Sequence, residues 1–347
     1  MIHHLRRVAA IVALCPIALV ANAQARGDRL LVLNKAEATA SLIDLASGAI
    51  VATMPVGEGP HEVAVRDDAR LAVACNYGTG PAPGSSLTVL DLRDQTVVRT
   101  INLGSYRRPH GIAWLPDGRH VVVTVEANQA VLLIDVEQGV VVQAIPTDQL
   151  GTHLLVTSRD GRRAYTANVG SGSVSMIDLV ARVRLKTTMT GKFPEAIDLS
   201  PDAKQLWTAD RTLERVTILD AATLDTIRSL PTGKFPNRLK FTPDGKTVVL
   251  SNAESSTLGF YDVAAQRPDG ELRFEVDPAL LRPQLLGSQM GNSATPLGIL
   301  MDPSGRRAFV ALAAMDRIAE VDLAKRVVVR LLAAGREPDG MALVRAR

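Results

Sequence analysis

Apolar residues in this chain fall into short runs of five to seven, rich in Val, Ile, Leu and Thr, such as Val121-Val122-Val123-Thr124-Val125. Runs of that length, bounded by turn residues, read as β-strands. No segment sustains the 3.6-residue apolar period of a helix. The runs belong to a repeat. An Asp closes an alternating apolar segment seven times, at Asp44, Asp91, Asp135, Asp178, Asp220, Asp262 and Asp322, with spacings of 47, 44, 43, 42, 42 and 60 residues. Ten positions earlier stands a polar residue in four units (Asn34, Asn168, Asp210, Asn252), and Asn76 takes that place in the second unit. Val125 and Leu312 replace it in the remaining two. Turns such as Pro116-Asp117-Gly118, Arg159-Asp160-Gly161 and Pro243-Asp244-Gly245 recur between the marks.

Four short strands per unit of about 40 residues predict an all-β, seven-bladed β-propeller of four-stranded antiparallel blades. With strands lettered A to D from the channel outwards, the A strands follow Gly-x-x-Pro turns. They begin near His61, His110, His153, Glu195, Asn237, Leu297 and Asp339. The chain itself opens with strands B, C and D, at Leu30–Leu33, Ala40–Ile43 and Ile50–Val56. The missing A strand is therefore expected from Asp339–Val344, so that the C-terminal strand pairs with the N-terminal strands. Such closure removes an open sheet edge.

Units such as Arg163-Ala164-Tyr165-Thr166-Ala167-Asn168, Val174-Ser175-Met176-Ile177-Asp178 and Gly191-Lys192-Phe193-Pro194 resemble the YVTN-type β-propeller repeat over nearly all of the chain beyond residue 25. More distantly the sequence is similar to lactonase-type propellers. The resemblance implies the fold, and through the second group an ester hydrolase; fold alone does not fix activity.

The first residues change the picture of where the chain works. Arg6 and Arg7, the 13-residue apolar run Val8–Val20 broken by Pro16, and Ala21-Asn22-Ala23 form a signal-peptide pattern. The run is shorter than the ~20 residues of a membrane-spanning helix. Residues 1–25 are read as a signal peptide and 26–347 as one propeller domain, monomeric and periplasmic or secreted. Cys75 is the one cysteine beyond the signal, which excludes an intramolecular disulfide. The formal charge of +3 includes Arg6 and Arg7, and aromatics are 3% of residues, so neither bulk charge nor stacking favours nucleic acid.

A residue present in every unit serves the scaffold; chemistry should break the symmetry. The seven Asp residues are expected to accept backbone N–H bonds in the turn that follows each C strand. Strand directions put the D–A and B–C connections on one face, which also carries both insertions, Tyr77 to Ser86 and Arg267 to Thr295. On that face the position after the Gly-x-x-Pro turn reads His61, His110, His153, Glu195, Asn237, Leu297, Asp339 around the ring. Imidazoles and a carboxylate on four consecutive blades could hold a divalent transition metal through His61, His110, His153 and Glu195. Alternatively each histidine bonds a neighbouring loop. Asp198 with Lys240, and Glu195 with Arg238, are expected to form cross-blade ion pairs. Arg107, Arg108, Lys192, Lys234 and Arg336, with Tyr106, Phe193 and Phe235, surround the mouth and suit a small anion or an acidic partner loop. The sequence shows no Gly-x-Ser-x-Gly elbow, His-Glu-x-x-His, cysteine pair or phosphate loop.

The leading expectation is a non-catalytic binding or scaffold protein that uses this face for an unknown protein or small anionic ligand. The alternatives are a metal-dependent lactonase-like hydrolase and a metal- or cofactor-holding accessory of a periplasmic redox system.

Overall fold

A computed structural model describes residues 27–283 and 290–346. The expected signal peptide and residues 284–289 of the second insertion lie outside the described residues. Among the described residues, 28 strands, β1 to β28 in chain order, form seven four-stranded sheets. No described helix is long and apolar enough to cross a membrane.

The hydrophobic pattern follows from where each strand lies. Strands B and C are packed between neighbouring blades on both faces, so they are buried almost throughout, as in Leu71–Gly78 and Ala130–Asp135. A strand buried on both faces needs a continuous apolar run, not an alternation. Outer D strands such as Thr96–Asn102 are exposed except at one residue near the end, here Ile101.

The ring closes as the sequence predicts. Strand β28 (Pro338–Val344) pairs antiparallel with β1 (Arg29–Asn34), matching Leu31 with Ala342 and Leu30 with Leu343, and β2 (Thr39–Asp44) and β3 (Ile50–Pro55) complete that blade. The first blade is thus made from both ends of the described chain.

The repeated polar residues serve the scaffold. All seven Asp residues that end C strands accept backbone N–H bonds from the following turn: Ser47 to Asp44 at 2.8 Å and Gln138 to Asp135 at 2.8 Å are typical. The polar residue at or near the end of strand B ties down the preceding D–A turn. Asn76 Oδ1 accepts from Gly57 N at 2.9 Å, and Asn34 Oδ1 accepts from Gly335 N at 3.1 Å. A Cβ at Gly57 would sit 2.4 Å from the Asn76 side chain, so the turn needs glycine for close approach. Where Val125 and Leu312 replace the polar residue, Tyr106 and Ser293 occupy the glycine position. Tyr106 then packs on the cluster containing Val125, exchanging a hydrogen bond for apolar contact.

Closure is testable by deletion. Removing residues 338–347 strips β28 from β1 and uncovers Leu31 and Leu33, which pack with Ala342 and Val344. Losing that burial costs about 5 kcal/mol or more, at ~1.5–3 kcal/mol per large apolar side chain. At roughly 2–4 °C per kcal/mol the truncated chain should melt at least ~10 °C lower, or fail to fold. Thermal denaturation followed by circular dichroism decides it; an unchanged melting temperature refutes closure.

Candidate functional site

The second residue of every A strand faces the channel mouth. His61 on β4 (Pro60–Val65), His110 on β8 (Pro109–Trp114), His153 on β12 (Thr152–Thr157) and Glu195 on β16 (Pro194–Leu199) line one cavity of about 220 Å³. Asn237 on β20 (Pro236–Phe241), Leu297 on β24 (Pro296–Met301) and Asp339 on β28 line it too. The A-strand ring read from the sequence therefore converges.

A second ring supplies the rest of the wall. The residue directly after the Asn34-series position is Lys35, Tyr77, Glu126, Val169 or Arg211 in the first five blades, and all five line the cavity. In the last two blades the same position is Ala253 or Ala313, which pack with Leu297 and with Met290 of the insertion. The wall thus carries a polar side chain from six blades, and in the seventh Leu297 and Ala313 make it apolar, with Ala253 of the sixth packed beside them. Sequence reasoning missed this second ring. Its signal was available, because each member directly follows the Asn34 series and varies as freely as the A-strand ring.

Charge is compensated within the cavity. His153 lies between two carboxylates, with Nδ1 2.5 Å from Glu126 Oε1 and Nε2 3.2 Å from Glu195 Oε1. Burial opposes the imidazolium, but the Glu195 and Glu126 carboxylates outweigh it and raise the His153 pKa to about 9. Burial also opposes ionisation of Glu195, and the His153 charge with Arg211 and Arg238 overcomes it, holding the carboxyl far below its usual range. Arg211 Nη1 stands 3.1 Å from Glu195 Oε2, and Asn237 Nδ2 donates to Oε1 at 3.3 Å.

The other two histidines behave differently. His110 stacks on His153 with ring centroids 3.8 Å apart, and His61 meets His110 edge-on at 4.9 Å. Burial, with Lys35 nearby, lowers the His61 pKa to about 4. Burial, then the His153 charge, takes His110 well below the ordinary imidazole value. His61 Nδ1 contacts Gly59 O at 2.8 Å, as the neighbouring-loop reading expects. His110 Nδ1 is buried without a hydrogen-bond partner among the described residues, and so is Asp339 Oδ1. Asp339 Oδ2 pairs with Lys35 Nζ at 3.3 Å.

An ion pair crosses the channel. Arg238 reaches from β20 to Glu62 on β4, with Nη2 2.9 Å from Oε1. The two strands are separated on one side by β24 and β28, which carry Gly298 and Gly340 at the equivalent position. A Cβ at Gly298 would lie 2.1 Å from Asp339 O, and one at Gly340 2.2 Å from His61 O, so these glycines let the inner strands close up. Arg238 also faces Glu195 at 3.6 Å, the expected cross-blade contact, but Glu62 is nearer. Lys240 and Asp198 meet at 3.5 Å as expected, and Asp198 also accepts from Phe241 N at 2.9 Å.

The remaining residues expected at the mouth do not line the cavity, apart from Phe193. Arg108 lies over the Tyr77 ring at 4.9 Å and donates to Gly80 O at 3.0 Å. Lys234 pairs with Glu254 at 3.5 Å, and Arg107 donates to the carbonyl of Tyr106 at 3.1 Å. The Arg336 carbonyl accepts from Ala36 N, and Lys192 N donates to Asp210 Oδ2. Phe193 and Phe235 flank the Arg211 guanidinium at 3.7 and 4.9 Å. For metal binding, among the described residues His110, Glu126 and His153 have ligand atoms within 4.8 Å of one another. Two of them belong to the quartet expected from sequence, while His61 and Glu195 fall outside that group.

The braced histidine carries a pH signature. Its folded pKa of about 9 lies above the ordinary 6.5, so the folded state keeps a proton that the unfolded chain releases. The associated stabilisation is complete below pH ~6.5 and is lost as pH rises to about 9, at up to ~1.4 kcal/mol per pH unit. Imidazole NMR of the metal-free protein should show one ring protonated until about pH 9, and Glu195→Gln should bring that titration towards neutrality. If every imidazole titrates between pH 6 and 7, the brace does not exist.

The profile of the family described as "Lactonase, 7-bladed beta-propeller" matches residues 49–283, about two thirds of the chain. No curated protein sequence matches. Among solved structures, hydrazine synthase of Kuenenia stuttgartiensis superposes with a TM-score of 0.67 at 18% identity, over 80% of this chain and 88% of that one. A functionally unknown protein of Desulfotomaculum acetoxidans superposes with a TM-score of 0.73 at 14% identity, over 92% of this chain and 99% of its own. At these identities the two likenesses concern the fold alone. By its sevenfold blades, its ring closure and the matched span, the chain belongs to the seven-bladed β-propeller lactonase family.

Proposed function

We propose that this chain is an exported binding protein that takes a small, strongly polar ligand into the channel mouth and does not turn it over. One observation carries the reading. The positions where the blades stop agreeing converge on a single recess of about 220 Å³, which is crossed by the Arg238–Glu62 pair. That volume is below the ~300–1,000 Å³ of ordinary drug-sized ligand pockets, so a compact ligand suits it. Four cationic side chains (Lys35, His153, Arg211, Arg238) face four carboxyl groups (Glu62, Glu126, Glu195, Asp339). Balanced charge favours a ligand with several hydrogen-bonding groups, such as a hydroxy acid or sugar acid, over a bare anion. Catalysis without a cofactor is disfavoured because the strongest base candidate, His153, is held as an imidazolium by two carboxylates.

The second reading, a lactone hydrolase, is favoured by the family's description and by the His110, Glu126 and His153 grouping. A panel of small hydroxy acids, sugar acids and their lactones separates the two. Binding at 100 times Kd adds ~2.7 kcal/mol, a rise in melting temperature of roughly 5–10 °C. Val169→Trp, which fills the recess without touching its charges, should abolish the rise. Acid release from any lactone, lost in the same variant, overturns the non-catalytic reading.

A further inference from the structure

We infer that His110, Glu126 and His153 form a site for one divalent transition-metal ion, where the third and fourth blades meet. The site goes beyond the binding function proposed above and does not depend on it. One ligand atom from each residue lies within 4.8 Å of the others, and two imidazoles with one carboxylate suit Zn²⁺, Co²⁺ or Ni²⁺. Magnesium and calcium prefer all-oxygen shells.

The scaffold gathers the ligands before any ion arrives. Thr124 accepts from Gly111 N at 2.8 Å and donates to the His153 carbonyl, so one buried hydroxyl straps the His110 strand to the His153 strand. Glu126 starts the B–C turn two residues beyond Thr124. Glu126 and His153 also have their far atoms held. Tyr77 OH donates to Glu126 Oε2 at 2.8 Å, and His153 Nε2 meets Glu195, which Arg211 and Asn237 hold in turn. Outer partners of this kind orient metal ligands and set their basicity.

His110 supplies the independent observation. It is 1% exposed, and its Nδ1 has no hydrogen-bond partner among the described residues. Buried polar nitrogens are rarely left so unless something else binds there. A bound ion would take the place of the hydrogen bond between Glu126 Oε1 and His153 Nδ1, which would separate from 2.5 Å to ligand spacing, and His110 would complete a three-residue set. The fourth position opens on the cavity, where water or the bound ligand can occupy it. His61 stays outside, with Nδ1 committed to Gly59 O.

Cobalt provides the test. The full chain, purified without a histidine tag and stripped with a chelator, is titrated with Co²⁺ and its visible absorption recorded. The expected result is a tetrahedral Co²⁺ band that saturates at about one equivalent and is displaced by Zn²⁺. Glu126→Gln and His110→Ala should each weaken binding by more than ~100-fold, Tyr77→Phe by ~10-fold, and His61→Ala not at all. Circular dichroism and melting of each variant establish that it is folded. Should His110→Ala not fold, the isosteric Glu126→Gln carries the decision. Absence of the band at millimolar Co²⁺, or a band that survives Glu126→Gln and vanishes in His61→Ala, overturns the site. Either failure leaves the ligand-induced melting shift untouched, so the two proposals fall separately.

Discussion

Every blade of this protein depends on having a neighbour on each side. Strands B and C present apolar side chains to both faces, so a blade at the end of an open row would expose one of them to water. The only arrangement that covers all faces is a ring, and the pairing of Leu31 with Ala342 and Leu30 with Leu343 makes the ring continuous. Closure also determines what the centre can be. Inner strands drawn together, with Gly298 and Gly340 admitting the carbonyls of Asp339 and His61, leave a channel narrow enough for Arg238 to bridge it to Glu62. The recess lined by the two rings lies in that narrowed channel, with Arg238 in its wall.

A recess walled by closely packed strands has a low dielectric, in which each unpaired charge is expensive and each pair strong. The arrangement of ionisable groups answers that constraint. Lys35 faces Asp339, Arg238 faces Glu62, and His153 is enclosed by Glu126 and Glu195. His61 and His110, without such partners, are kept neutral by the same burial that raises the demand for pairing elsewhere. Three histidines in contact thus occupy two charge states. Burial acts on all three, and the difference comes from the two carboxylates that enclose His153, while Lys35 adds to burial at His61 and the His153 charge adds to it at His110.

This explains how much was legible in the sequence. The fold was, because sevenfold recurrence of Asp44 and its counterparts is its own internal control, and the order of strands at the two ends implied the closing partner. The first ring of the site was legible for the same reason: a constant turn marks each of its positions. Glu126, Lys35 and Arg211 were not found, although they follow equally regular marks, because the B-strand ends were read only as scaffold. Partners across the ring were a harder case. Glu195 with Arg238 can be proposed from matching positions on adjacent blades. Glu62 with Arg238 cannot, since it requires knowing that Gly298 and Gly340 clear the span between blades that are not neighbours.

The asymmetry of the mouth follows from one further element. In the sixth and seventh blades the second ring is reduced to Ala253 and Ala313, and Leu297 takes the place of a polar A-strand residue. Met290 from the insertion fills the space that those small side chains leave. That apolar cluster sits between Asn237 and Asp339 around the ring, so the polar wall of the cavity is interrupted there. The longest insertion and the shortest side chains are therefore parts of one device. Sequence symmetry fails there for a packing reason, whereas at His110, Glu126 and His153 the same failure gathers ionisable groups in the recess. Deviations from a repeat have to be sorted by what surrounds them before they are read as function.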